Sequence, residues 1–291
     1  MLSYRHVFHA GNLGDVLKHL ALLATLRAAT RKETPLAYLE SHAGAGSYAL
    51  ADDGPAEYRT GIAPLWRARR DVSDPLLRDY LQLVLRAQTR GTPAPGDALP
   101  DLASEVPLRR YPGSPWFARA TLRPPDDLWL AELHPTDYTR LVDLFRDRAY
   151  VHVERMDGHA LLRAQLPPKA RRGVVLIDPA YELADEADRV LASLADALRR
   201  FGHGTYLVWA PLRGKAAPSQ MERVILRLAP SKLLRVAFTP LDAPASEHPP
   251  LGSVLWLLNP PYLVDEALRA AFAECAPLLA VQAEVRWLLG G

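Results

Sequence analysis

Asp178-Pro179-Ala180-Tyr181 directly follows the strand-forming run Val174-Val175-Leu176-Ile177. A carboxylate, a proline carbonyl and an aromatic ring at one strand end suit the task of holding a planar exocyclic amine. The lone pair of such an amine is delocalised into its ring, so it attacks poorly. The Asp178 carboxylate and the Pro179 carbonyl offer acceptors for both amine hydrogens, which turns the lone pair toward an electrophile. Tyr181 then supplies a face on which the ring stacks. Taken alone, the same letters also spell an Asp-Pro turn after a buried strand.

Three other groups stand at the ends of apolar runs, where open α/β sheets bind ligands. His42-Ala43-Gly44-Ala45-Gly46 follows Leu36-Ala37-Tyr38-Leu39 and lets backbone approach a ligand closely. It lacks the third glycine of a dinucleotide fingerprint and the Lys-Ser/Thr of a P-loop. Glu132, after Leu128-Trp129-Leu130-Ala131, is placed to accept hydrogen bonds from both hydroxyls of a ribose. Asp157-Gly158, beyond Tyr150-Val151-His152-Val153, is either an acceptor for an adenine amine or an ordinary turn. A second copy of the amine-holding corner, Asn259-Pro260-Pro261-Tyr262, also follows an apolar strand. Chain order argues against it, because residue 259 comes after the last strand expected, at the far end of the sheet.

The elements that must position these groups alternate. Asn12 to Ala29 carries Leu13, Val16, Leu17, Leu20 and Leu23 on one helical face. Further helices are expected at 137–146, 159–165 and 185–200, with later strands at 206–209, 233–238 and 254–258. This pattern predicts an α/β fold, a mostly parallel sheet covered by helices on both faces. Between about 51 and 111 the alternation lapses and no strand-like run appears. Asp74 as cap, Pro75 in the first turn and the stripe Leu76, Leu77, Tyr80, Leu81, Val84, Leu85 mark a helix there. The segment reads as a helical insertion within one domain spanning 1–291.

The 291 residues are 49% hydrophobic and 23% charged, with a net charge of +2, which does not describe a generic polyanion binder. Basic density is local, at Arg67, Arg69, Arg70 and at Arg171, Arg172. The single cysteine, Cys275, excludes a disulfide framework within the chain. No secretory leader or membrane-spanning run is visible, so a cytoplasmic setting is expected. His6, His9, His19 and His42 crowd the N-terminus, yet no carboxylate or third histidine sits at a recognised offset, and no metal is expected.

Several blocks carry a more specific signal: Met1-Leu2-Ser3-Tyr4-Arg5-His6 with Phe8-His9-Ala10-Gly11-Asn12, then Asp15-Val16-Leu17-Lys18-His19. Further on stand the His42–Gly46 loop, Tyr111-Pro112-Gly113-Ser114-Pro115 and Glu132-Leu133-His134-Pro135. With these the chain resembles, over nearly its whole length, the bacterial 23S ribosomal RNA adenine-N6 methyltransferase J family. The resemblance implies a Rossmann-like class I methyltransferase sheet, S-adenosyl-L-methionine as cofactor and no metal. It implies that Lys18, His19, His42, Gly44, Ser114, Glu132, Asp157, Gly158 and Asp178 bind the cofactor. Asp178, Pro179 and Tyr181 would be catalytic, and Tyr4, Arg5 and His6 would cover the site and meet RNA. The implied substrate is adenine 2030 of 23S rRNA, naked or in early assembly; a monomer is the default expectation, which nothing in the sequence decides. The family's corner reads Asp-Pro-Pro-Tyr; Ala180 replaces its second proline, which frees φ and adds an N–H without touching either acceptor. A DNA adenine-N6 methyltransferase and a catalytically silent RNA-binding relative are the competing readings.

Overall fold

A computed structural model describes residues 6–50, 56–89, 96–146, 148–212, 218–241 and 252–291. The first long helix, α1 (Leu13–Thr30), is capped by Asn12, whose side chain accepts from the Asp15 N–H. Unlike a surface helix it is buried on nearly every side, so it forms the centre of one half of the molecule. Strand β1 (Ala37–Glu40) follows, then β2 (Ser47–Ala49), helices α2 (Ile62–Ala68) and α3 (Pro75–Thr89), and β3 (Arg110–Pro112). Asp74 Oδ1 accepts the Leu77 N–H at 2.8 Å, which fixes the start of α3 behind Pro75. β2 and β3 pair antiparallel as a small separate sheet. The expectation of no strand up to residue 111 is corrected there, because Arg110 and Tyr111 pair across to Ala49 and Tyr48.

The chain continues through α4 (Ser114–Thr121), β4 (Asp127–Ala131), α5 (Pro135–Leu144), β5 (Val151–Glu154), α6 (Gly158–Gln165) and β6 (Gly173–Ile177). It ends with α7 (Glu186–Arg200), β7 (Thr205–Pro211), α8 (Pro218–Arg227), β8 (Leu233–Pro240), β9 (Ser253–Leu258), α9 (Val264–Leu279) and β10 (Val281–Leu289). The large sheet has the order β10-β8-β9-β7-β6-β1-β4-β5. From β7 to β5 the strands are parallel, while β9 and β10 run against their neighbours. β9 is therefore neither last nor at the sheet edge, which corrects the expected placing of Asn259.

Strand β6 shows how the sheet divides the interior. All five of its residues are buried. Val174 and Leu176 join a core with α1, α3, α4 and α9, while Val175 and Ile177 join a second core with α6, α7 and α8. The two-residue period of a strand, applied to a continuous apolar run, produces one core on each face. None of the described helices is long and apolar enough to cross a membrane.

Candidate active site

A cleft of about 1040 Å³ opens beyond the carboxyl ends of β1, β4, β5, β6 and β7. Lys18, His19, His42, Gly44, Ser114, Glu132, Asp157, Gly158, Asp178 and Pro179 all line it, together with His6. Residues scattered over more than half of the sequence meet here because parallel strands deliver their ends to one side of the sheet. Tyr4 and Arg5 lie outside the described residues.

The charged heart of the cleft is a buried relay. Lys18 Nζ donates to Asp178 Oδ2 at 2.5 Å and to Asp15 Oδ1 at 2.8 Å. Asp15 Oδ2 is 3.0 Å from His6 Nε2 and also accepts the Gly11 N–H at 2.8 Å. Burial works to lower the Lys18 pKa, but Asp15 and Asp178 outweigh it and hold the ammonium well above its ordinary range. Burial works to raise the Asp15 pKa, and Lys18 and His6 hold it well below instead. Asp15 sits in the first turn of α1, so the same carboxylate also faces the positive helix end. The relay leaves Asp178 Oδ1 without a hydrogen bond among the described residues.

Glu40, the last residue of β1, is fully buried, with Oε1 accepting from Ser114 Oγ and Oε2 from Tyr38 OH at 2.8 Å. Desolvation pushes this carboxyl up to about 8. His19 Nδ1 is 2.8 Å from Tyr111 OH, which is 2.9 Å from Tyr80 OH; His19 Nε2 is buried with no hydrogen-bond partner, 4.0 Å from Asp15 Oδ1. Desolvation keeps His19 neutral by pulling its pKa well down.

The glycine loop is held from the next strand. Glu132 accepts the Gly44 N–H at 2.8 Å through Oε2 and the His134 N–H at 2.6 Å through Oε1. Gly44 has φ +62°, and a Cβ there would lie 2.1 Å from Tyr48 OH. Gly158 approaches still closer: a Cβ would lie 1.8 Å from the Ser41 carbonyl. Asp157 caps α6 by accepting the Ala160 N–H at 3.0 Å, and its Oδ2 accepts from Arg189 at 2.7 Å. His42 packs edge-on to His159, and burial drives the His42 pKa down to about 3. Both ring nitrogens of His159 are buried without a partner.

One expected site residue is placed elsewhere. Tyr181 has φ +53°, and this turn sends its ring into the core between the sheet and α8. Its hydroxyl donates to the Trp209 carbonyl at 2.7 Å, and the ring is absent from the cleft lining. It anchors the corner, so it offers no stacking face. Trp209 does line the cleft, with its indole N–H buried and unpartnered. Asn259 stands at the opposite end of the sheet because β9 is antiparallel to β7. Its amide donates to the carbonyls of Gly202 and Gly204, both at 3.0 Å. Of the basic clusters, Arg69 is buried against Trp66, and Arg70 pairs with Glu105.

Sequence reasoning missed Asp15, Glu40, Trp209 and Arg189. Asp15 carried a signal, three residues before Lys18 on a helix, but it reads equally as a first-turn charge. His6 and His9 face different carboxylates, Asp15 and Glu57. Among the described residues, no group of three or more His, Cys, Asp or Glu is arranged to hold a metal ion.

The cleft's size and its polar lining are compatible with a nucleoside-type cofactor. Glycines 44 and 158 let the loop and α6 pack closely against Tyr48 and Ser41 at the cleft floor, Glu132 presents a carboxylate beside them, and His19 Nε2 is a buried polar atom without a hydrogen-bond partner. Sheet order and cleft together define a class I methyltransferase of Rossmann-like fold. A family described as ribosomal RNA large subunit methyltransferase D, RlmJ, matches residues 33–288. Ribosomal RNA large subunit methyltransferase J of Escherichia coli K12 is 34% identical over 99% of both chains. The enzyme of the same name from Haemophilus influenzae is 32% identical, over 99% of this chain and 97% of its own. A crystal structure of a Legionella pneumophila protein superposes with a TM-score of 0.83 at 33% identity, covering 97% of this chain and 99% of that one. The chain belongs to the ribosomal RNA large subunit methyltransferase J family.

Proposed function

We propose that this methyltransferase acts on the N6 amine of an adenine in 23S rRNA, at the position the family resemblance implies, adenine 2030. The observation that carries the reading is the state of Asp178: one oxygen fixed by Lys18, the other open, next to the Pro179 carbonyl in the cleft. The reading takes the chain as a single-domain monomer with a helical insertion at about 51–110, and the RNA as naked or in early assembly.

S-adenosylmethionine, held by His19, His42, Gly44, Ser114, Glu132, Asp157 and Gly158, supplies an electrophilic methyl group when bound. The remaining chemistry is positional. Asp178 Oδ1 and the Pro179 carbonyl accept the two amine hydrogens, which directs the nitrogen lone pair. Lys18 prevents the carboxylate from rotating away and compensates its charge in a desolvated site. After transfer the N6 nitrogen is positively charged and must lose a proton. Asp178 is the adjacent acceptor, and Lys18, Asp15 and His6 link it to the partly exposed rim. Ala180, exposed in the cleft wall, leaves both acceptors intact.

The test is methylation of 23S rRNA prepared without the mark, with DNA of the same sequence in parallel. Wild-type protein is expected to label RNA at one adenine. Asp178→Ala should lower kcat roughly 10²–10³-fold, with S-adenosylhomocysteine binding retained. Labelling of DNA alone would overturn the reading, and so would full activity of the Asp178→Ala variant.

A further inference from the structure

The two ends of the sheet carry opposite charge. Among the described residues, the cleft lining at the carboxyl end holds eight carboxylates against two cations, Lys18 and Arg189, besides five histidines. A bound RNA chain also needs contacts to its phosphates, and exposed cations supply them.

At the amino end the loops are tied to one another edge to edge. Arg123 donates to the Lys32 carbonyl at 2.8 Å, and Arg172 donates to Thr34 Oγ1 at 2.8 Å and to the Ala29 carbonyl at 2.6 Å. His203 Nε2 is 3.2 Å from the Arg171 carbonyl. Asn259 joins the 202–204 loop, and its Oδ1 accepts the Lys232 N–H at 3.3 Å. These contacts follow the sheet order β4, β1, β6, β7, β9, β8. At roughly 4.8 Å per strand spacing the belt spans about 24 Å.

Arg31, Lys32, Lys169, Arg171 and Lys232 are exposed on this belt. None has an ion-pair partner among the described residues. The acids of the same end are mostly engaged. Asp126 accepts from the Leu36 N–H and Arg123, Asp196 holds Arg199 and Arg200, Asp265 accepts from Trp287, and Asp127 faces His152. Glu33 and Glu266 are the exposed exceptions. Tyr262, in the sequence copy of the catalytic corner, is 80% exposed beside the belt.

We propose that this belt binds the phosphate backbone of RNA flanking the target nucleotide, with Tyr262 as a stacking platform for an unpaired base. Exposed lysines and arginines gain affinity for such a polyanion by releasing its condensed counterions, and an aromatic face takes any base. The loops are cross-braced by side-chain hydrogen bonds, so the cations are held in a fixed row. The strand copy at Asn259 thus has a structural role, fixing the loops that present the charge. The inference rests on RNA being the substrate.

The experiment compares wild type with the triple variant Lys169→Glu, Arg171→Glu, Lys232→Glu. A second triple variant, Arg67→Glu, Arg223→Glu, Arg269→Glu, changes net charge equally on other exposed helix positions. Methylation of a 23S transcript is measured across salt concentrations, and S-adenosylhomocysteine binding reports an intact fold and site. The belt variant is expected to raise the RNA KM about 10-fold or more, leave kcat within about twofold, and reduce the salt slope by about 2–3. Tyr262→Ala should raise KM several-fold with no change in salt slope. A belt variant indistinguishable from the control triple overturns the proposal. Failure of the wild type to methylate the transcript overturns the reading of function instead.

Discussion

Both ends of the central sheet carry a corner made of a short polar residue, a proline and a tyrosine, yet the two have opposite surroundings. At the carboxyl end, Asp178 is set among buried charges: Lys18 and Asp15 are each almost wholly inaccessible, and their pKa values are driven apart by one another. Its tyrosine turns inward and anchors to Trp209. At the amino end, Asn259 is neutral, its amide is engaged by backbone groups, and its tyrosine turns outward into solvent. The difference teaches where chemistry is placed in such a sheet. An acceptor is useful only if one of its lone pairs remains open, and charge is useful to the reaction only where water is excluded. Both amide hydrogens of Asn259 go to loop carbonyls and its oxygen accepts from Lys232, so its corner braces loops.

Removing the reactive acceptor should give the largest effect, the loss expected for Asp178→Ala. Lys18→Met is the next sharpest way to break the comparison. It leaves Asp15 and Asp178 buried without their shared cation. Breaking a buried pair from one side costs about 3–5 kcal/mol, so thermal unfolding should shift down strongly. Single-turnover methylation at low temperature is the second readout and separates loss of rate from loss of fold. A Lys18→Met protein with wild-type stability and rate would show that the relay has no role.

Much of this contrast was beyond the reach of sequence reading, for identifiable reasons. β6 was legible because four apolar β-formers in a row end on Asp178, and the caps at Asn12 and Asp74 announce their helices. The alternating strand Val281–Leu289 was missed because its only partner is antiparallel and some 40 residues upstream, at the sheet edge. That single omission made Asn259 look terminal. The Lys18–Asp178 pair joins residues 160 positions apart, so nothing local marks it. Tyr181 misled for a different reason: a positive φ at one residue reverses the side to which its ring points, and tyrosine gives no warning of it. The ligand-facing strand ends were legible, since parallel strands bring them together whatever the intervening lengths.

At the amino end, Asn259→Ala removes three hydrogen bonds, two donated to loop carbonyls and one accepted from Lys232. It also places alanine at φ +50°, where asparagine is tolerated better. A loss of about 1–3 kcal/mol in stability is expected, measured by denaturant unfolding. kcat for RNA should be unchanged, while KM rises as the belt loops separate. A fall in kcat comparable to that of Asp178→Ala would reverse the assignment of the two corners.

The finest distinction concerns the two tyrosines. If Tyr181 were a stacking platform, Tyr181→Phe would keep the ring and change nothing. In this structure the hydroxyl is what holds the corner, through its 2.7 Å bond to the Trp209 carbonyl, and the ring is 6% exposed. Removing the hydroxyl leaves a carbonyl short of one donor and costs about 1 kcal/mol, or roughly 2–4 °C in melting temperature for a chain of this size. kcat should drop only a fewfold, as Asp178 and Pro179 gain freedom beside an intact Lys18. Tyr262→Phe should by contrast leave both melting temperature and KM unaltered, since an exposed ring stacks equally well without its hydroxyl. An unshifted melting temperature for Tyr181→Phe would remove the anchor from the account and return the ring to the cleft.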